Sequence, residues 1–201
     1  MTLIKICGMT RADDIDQAVA AGADMIGFIL VPWSPRAVDC ATARELRERV
    51  PATVEAIGVL VDATAEQAAL VLDETRLDRL QVYGAHAEAT QTLLGDRAIV
   101  AYRLPSDTVG TANPLLLDRA FHDEPTETEL AEHWASVRTL STAGRQVVLA
   151  SVLTPESVIA AIDAAQPWAV DVARGVEQSP GIKDHGRVSA FIAAVREGIA
   201  A

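Results

Sequence analysis

Eight short apolar runs recur along the chain at near-regular intervals, and longer amphipathic segments separate them. The runs are LIKIC (3–7), DMIGFIL (24–30), VEAIGVLV (54–61), LDRLQVY (77–83), AIVAYRL (98–104), PLLLD (114–118), QVVLAS (146–151) and WAVDVA (168–173). Their length and their content of Val, Ile and Leu mark them as strands. Between them, TRADDIDQAVAAGA, CATARELRERV, TAEQAALVLDET, TETELAEHWASVRTL and TPESVIAAIDAAQ carry apolar residues at three- and four-residue steps, the period of a helix. Strands apolar on both faces, each followed by a helix, build a parallel sheet with helices packed over it.

Eight repeats predict closure into a single-domain (β/α)8 TIM barrel, an α/β fold spanning residues 1–201. Counting alone leaves an open doubly wound sheet as the alternative. No linker or change of composition divides the chain. The stretch PSDTVGTANP after the fifth run is short and marked by Pro and Gly, so the fifth outer helix is expected to be short or absent. Thr10 ahead of Asp13 and Asp14, and Thr154 ahead of Pro155 and Glu156, read as capped helix starts. Lys183 and Asp184 read as the start of the last helix.

Half of the 201 residues are hydrophobic, enough for a substantial core, and the formal charge is −11. No basic run with interleaved aromatics occurs, which argues against a nucleic-acid partner. The two cysteines, Cys7 and Cys40, form no CxxC pair and no Cys/His cluster at metal spacing, and the four histidines (His86, His122, His133, His185) are scattered. A disulfide framework is excluded and no metal is expected. The first residues lack a basic segment followed by a long apolar stretch, and no apolar run is long enough to span a bilayer. These features predict a cytoplasmic protein with reduced thiols and no membrane partner, a monomer or a homodimer.

In a barrel of this kind the active site lies on the loops that follow the strands. That rule selects Cys7, the loop VPWSPR (31–36), Asp62, Tyr83, Arg103, Asp118, Ser151 and ARGVE (173–177). The residue types alone leave their roles open. A cysteine is ordinarily a small buried hydrophobe, an aspartate after a strand is often a turn residue, and Arg36 could be a solvated loop charge.

The segments KICGMTRADDIDQAVAAGADMIGFIL and SPRAV, together with LTPESVIAAIDAAQPWAVDVARGVEQSPGIKDHGRVSAFIAAVR, resemble the phosphoribosylanthranilate isomerase family of the tryptophan pathway. RLQVYG stands where that family usually has VQLHG, and the resemblance spans nearly the whole chain. It implies an Amadori rearrangement of an N-ribosyl aromatic amine, an aldose–ketose isomerisation on a small-molecule substrate that moves only protons and calls for no cofactor. By the same resemblance Cys7 is the base, Asp118 the acid, and Arg36 the partner of the anthranilate carboxylate. A thiolate at a strand end facing a helix start is expected to have its pKa lowered by backbone amides. A carboxyl in an apolar barrel mouth is expected to have its pKa raised, and so to stay protonated.

Three departures from the family pattern gather around the phosphate. Ser151 and Val152 replace a Gly-Gly pair that lets backbone amides approach an anion, and a valine there is expected to resist a positive φ. Ala173 and Arg174 replace two serines ahead of Gly175, and Arg174 either compensates as an anion partner or points to solvent. A glycine-rich loop after Asp118 is replaced by one carrying Asp123, Glu124 and Glu127. Tyr83 stands in place of a histidine. Two further readings follow: a paralogue acting on a different, non-phosphorylated substrate in a specialised pathway, and a non-catalytic barrel that binds a small aromatic acid. Ser151, Arg174, Gly175 and Tyr83 are the substrate-binding candidates beside Arg36.

Overall fold

Each of the eight apolar runs forms a parallel strand in the computed structural model, which describes residues 1–120 and 124–198. The strands are β1 (Leu3–Cys7), β2 (Met25–Ile29), β3 (Glu55–Val61), β4 (Arg79–Tyr83), β5 (Ala98–Leu104), β6 (Leu115–Arg119), β7 (Val147–Leu149) and β8 (Ala169–Val172). Each pairs with the next, and β1 also pairs with β8, so the sheet is a closed barrel and not an open one. A small hairpin, β9 (Glu177–Ser179) and β10 (Ile182–Lys183), follows the barrel.

Side chains alternate along every strand, and the alternation builds two separate cores. Outward residues such as Ile4, Ile6, Ile26, Phe28 and Leu80 pack against the helices. Inward residues such as Met25, Ile57, Ile99, Leu116 and Val148 fill the barrel. On β1 the inward row is Leu3, Lys5 and Cys7, so one strand carries an apolar plug, a charge and a thiol in ascending order.

The helices are α1 (Ala12–Ala21), α2 (Cys40–Arg47), α3 (Ala65–Thr75), α4 (Ala87–Leu94), α5 (Glu127–Thr142), α6 (Val158–Ala165) and α7 (His185–Gly198). β5 runs to β6 through residues 105–114 without a helix, so the fifth outer helix is absent. α4 was not evident in the sequence: only Ala87 and Thr90 of its residues are buried, too few to print a periodicity.

Two of the expected caps are placed differently. The Thr10 hydroxyl donates to the Gly181 carbonyl at 2.5 Å, tying β1 to the β9–β10 hairpin, and α1 begins after Arg11 with no side-chain cap. Thr154 and Pro155 lie in a turn, where the Thr154 amide donates to the Ser157 hydroxyl, and α6 starts only at Val158. Capping boxes occur instead at Thr64/Gln67 on α3 and Thr126/Glu129 on α5. Asp184 does start the last helix, accepting from the Arg187 amide at 2.9 Å, whereas Lys183 is a buried residue of β10. His122 and Asp123 lie outside the described residues.

Phe28 is fully buried between β2 and the helical layer. Phe28→Ala is expected to lower unfolding free energy by about 3–5 kcal/mol, read from urea denaturation, because the outer layer is held by β2 and cannot collapse onto the vacated volume.

Candidate active site

The strand ends converge on a cavity of about 520 Å³ that Cys7, Arg36, Tyr83, Asp118, Ser151, Arg174 and Gly175 all line. Arg103 also faces it, while Asp62 does not: its backbone has φ 57°, and its carboxylate packs over Gly84, where a Cβ would come within 2.0 Å of it.

At the floor, Cys7 and Lys5 share the inward face of β1. The Lys5 ammonium donates to Asp171 on β8 at 3.0 Å. Gly27, paired with Cys7 across β1 and β2, makes the room: a Cβ there would sit 2.7 Å from Cys7 Sγ and 3.1 Å from Lys5 Nζ. Burial pushes the Cys7 thiol up, and the nearby Lys5 charge offsets only part of this. The expected lowering by helix amides is therefore reversed, because the sulfur points into a desolvated barrel and not at a helix start. Burial also opposes the Lys5 charge, but Asp171 and Cys7 outweigh it and hold its pKa above the ordinary lysine value.

Asp118 comes from β6. The Arg119 amide donates to its Oδ1 at 2.8 Å and the Tyr83 hydroxyl to its Oδ2 at 3.3 Å. Gln81 Nε2 in turn donates to the Tyr83 oxygen at 3.1 Å, and the Arg103 guanidinium lies 4.2 Å above the Tyr83 ring. Burial raises the Asp118 pKa, Asp171 adds to it, and the two donated hydrogen bonds offset part of the rise. Tyr83 stays protonated, held well above the ordinary phenol value by burial and by Asp118.

Arg36 reaches the cavity past Gly8, whose φ is 76° and whose absent Cβ would fall 2.8 Å from Arg36 Cδ. Its Nε and Nη2 donate to the Glu177 carboxylate at 2.7–3.0 Å in a bidentate pair. Glu177 also accepts from Lys183 at 2.8 Å. Burial works against the Glu177 charge, but Arg36 and Lys183 outweigh it and keep the carboxyl below its ordinary value.

The loops after β7 and β8 line the same cavity. Ser151 has φ 92° and Val152 φ 43°, so both adopt the left-handed backbone that glycines would take freely. Val152 takes up the positive φ that a β-branched residue does not adopt cheaply, at a cost of order 1–3 kcal/mol. Gly175 faces the same loop, where a Cβ would meet the Leu153 carbonyl oxygen at 1.9 Å. Arg174, at the start of a short 3-10 turn (Arg174–Val176), is exposed along the rim.

The family model for N-(5'phosphoribosyl)anthranilate (PRA) isomerase matches residues 4–194. The chain belongs to that family. An N-(5'-phosphoribosyl)anthranilate isomerase of Pseudomonas aeruginosa is 41% identical over 203 residues, covering 96% of this chain and 94% of its own. The crystal structure of phosphoribosyl anthranilate isomerase from Thermotoga maritima superposes with a TM-score of 0.83 at 30% identity, over 98% of this chain and 100% of that one. A structure of such an isomerase in complex with reduced 1-(o-carboxyphenylamino)-1-deoxyribulose 5-phosphate gives 0.80 at 30% identity, with the same coverage.

Within this PRA isomerase fold the strand-end rule finds most of the polar residues around the cavity, Arg119 excepted, but not the polar layer one step deeper. Lys5, Gln81 and Asp171 line up one inward step below Cys7, Tyr83 and Ala173, and their signal was a polar residue at an inward position of an otherwise apolar strand. Among the described residues no cluster of three His, Cys, Asp or Glu side chains is placed to hold a metal ion, and no helix is long and apolar enough to cross a membrane.

The raised pKa of Asp118 has a consequence for stability. A carboxyl raised in the folded state binds its proton more tightly there than in the unfolded chain, so its contribution weakens folding as pH rises through the folded value. Asp118→Asn is expected to unfold at a higher temperature than the parent at pH 8. The gap should close as pH falls below the unfolded carboxyl value, measured by thermal melts across pH.

Proposed function

We propose that the protein isomerises N-(5'-phosphoribosyl)anthranilate to the corresponding aminoketose by acid–base catalysis between Asp118 and Cys7. The observation that carries this is their shared cavity: a thiol from β1 and a carboxyl of raised pKa from β6, lined as well by Arg36 and by the loops after β7 and β8. Asp118 gives its proton to the furanose ring oxygen, and the ring opens to a protonated Schiff base. Cys7, as thiolate, takes the proton from C2′, and the enolamine tautomerises to the ketone. C1′ is reduced and C2′ oxidised within one molecule, so the class is an intramolecular oxidoreductase.

The flanking groups suit the two ends of such a substrate. Arg36 presents a planar fork already oriented by Glu177, and its Nη1 edge is not engaged by that carboxylate, which leaves it for the anthranilate carboxylate. The left-handed backbone at Ser151 and Val152 supports a phosphate at the other end, because it preserves the amide geometry of a glycine pair where the side chains have changed. Gly175 keeps the adjoining loop close, and Arg174 at the rim adds positive charge. Both cysteines are free, which supports a reducing compartment such as the cytoplasm.

A carboxyl ordinarily titrates near 3.8 and a thiol near 9.0, and burial raises both here. The reactive form needs protonated Asp118 and Cys7 thiolate together, and burial favours the first and opposes the second. The pH profile of kcat/KM should be a bell whose two limbs belong to this pair of groups. Turnover is read from the loss of substrate fluorescence. Cys7→Ala is expected to lower kcat by about 10²–10⁴-fold, and unchanged turnover would remove Cys7 from the mechanism. Arg174→Ala should raise KM far more than it lowers kcat.

A further inference from the structure

Nothing in the acid–base scheme above explains why a lysine lies at the centre of the barrel. Lys5 is fully buried, points inward one step below Cys7, and is paired with Asp171 at 3.0 Å. A buried ion pair is a poor stabilising device: desolvation of both charges consumes most of the attraction, and apolar residues of similar volume commonly do as well or better. Gly27 leaves the space on which Cys7 and Lys5 converge: a Cβ there would meet the Cys7 sulfur first and the Lys5 nitrogen at 3.1 Å. A cation held against the sulfur in a dry site has a larger effect on the charge of that sulfur than on folding.

We propose that Lys5 is a positioning residue that supplies the counter-cation of the Cys7 thiolate, and that Asp171 holds Lys5 charged while competing with the sulfur for it. The proposal rests on the reading of Cys7 as the base. The charged and titratable groups around the sulfur are Lys5 from β1, Asp171 from β8, Tyr83 from β4 and Lys183 from β10. Lys183 is committed to Glu177 and to the Cys7 carbonyl oxygen, at 2.8 and 2.6 Å, and Tyr83 remains a neutral phenol. Lys5 is thus the cation placed to answer a charge on the sulfur.

Lys5 keeps its proton throughout; its part is to favour the thiolate at Cys7. Asp171 acts in the opposite sense on the sulfur, and it also favours the protonated Asp118. One carboxylate thus favours the proton on both groups, the thiol and the acid. A substrate whose ring-opened form is a cationic Schiff base meets both groups in a site already balanced for proton exchange.

The two charges therefore make opposite predictions, which a loosened barrel cannot imitate. In a Cys40→Ser background, Cys7 is the single thiol, and its alkylation by iodoacetamide as a function of pH reports its titration without any substrate. Lys5→Met should move the midpoint up and slow alkylation at pH 8 by about tenfold, one unit of pKa. Asp171→Asn should move the midpoint down and speed the reaction. If Lys5→Met fails to fold by circular dichroism, the double variant Lys5→Met/Asp171→Asn buries no charge, and its midpoint must lie above that of Asp171→Asn. Shifts of the same sign in both single variants, or a change below twofold in each, would overturn the proposal. In the variants that fold, kcat should fall with Lys5→Met while KM stays level. Turnover retained by Cys7→Ala would sink the assignment of the base separately, since the thiol titration is measured without reference to activity.

Discussion

The seam between β1 and β8 is the constraint on which the rest of the molecule depends. Its register pairs Lys5 with Asp171 and Ile6 with Val172. That pairing closes the sheet, and because side chains alternate, it also fixes which residues face inward from both strands. Shifting β1 by a single residue would send Lys5 and Cys7 out into the helical layer and bring Ile4 and Ile6 into the barrel. The apolar pattern of β1 therefore specifies the site as firmly as it specifies the fold. The ion pair across the seam is a product of correct closure and not its cause.

A second tie connects the site to the loops. Glu177 gathers Arg36 from the loop after β2 and Lys183 from the hairpin after β8, and Lys183 reaches the carbonyl of Cys7 itself. Thr10 joins the same hairpin from the other side. The end of β1, the arginine and the hairpin after β8 are thus held by one set of charge-assisted hydrogen bonds, strong because they are largely shielded from water. A thiol on one strand and an arginine on the loop after another keep a fixed separation when something of this kind links them.

Much of this was legible in the chain. The eight strands follow from runs of Val, Ile and Leu, and the missing fifth helix from Pro and Gly in PSDTVGTANP. The rim residues follow from the strand-end rule. What was not legible depends on depth and not on position. Lys5 sits inside KICG and drew no reading from the sequence, because its partner is 166 residues away along the chain. The direction of the Cys7 shift was misjudged for the same reason, since burial is a property of the closed barrel and not of the local strand–helix junction. Thr10 has the residues of a cap but is drawn away by a hairpin that lies next to it only in space.

The loops after β7 and β8 show two different demands on the backbone. Gly175 stands where a Cβ would meet the Leu153 carbonyl at 1.9 Å, a clash with backbone that no rotamer relieves. Ser151 and Val152 stand where the demand is only for a positive φ, and there the cost is strain that neighbouring structure can hold. The two cases differ in kind: one position lacks space and the other lacks only conformational freedom. A loop that keeps a strained left-handed turn, against the preference of a β-branched residue, is held by its surroundings. Those surroundings are β7, which enters it from the barrel, and the Thr154–Ser157 turn, which anchors its exit. The backbone path at 151 and 152 therefore belongs to the barrel framework, which bears the strain of two side chains in left-handed backbone.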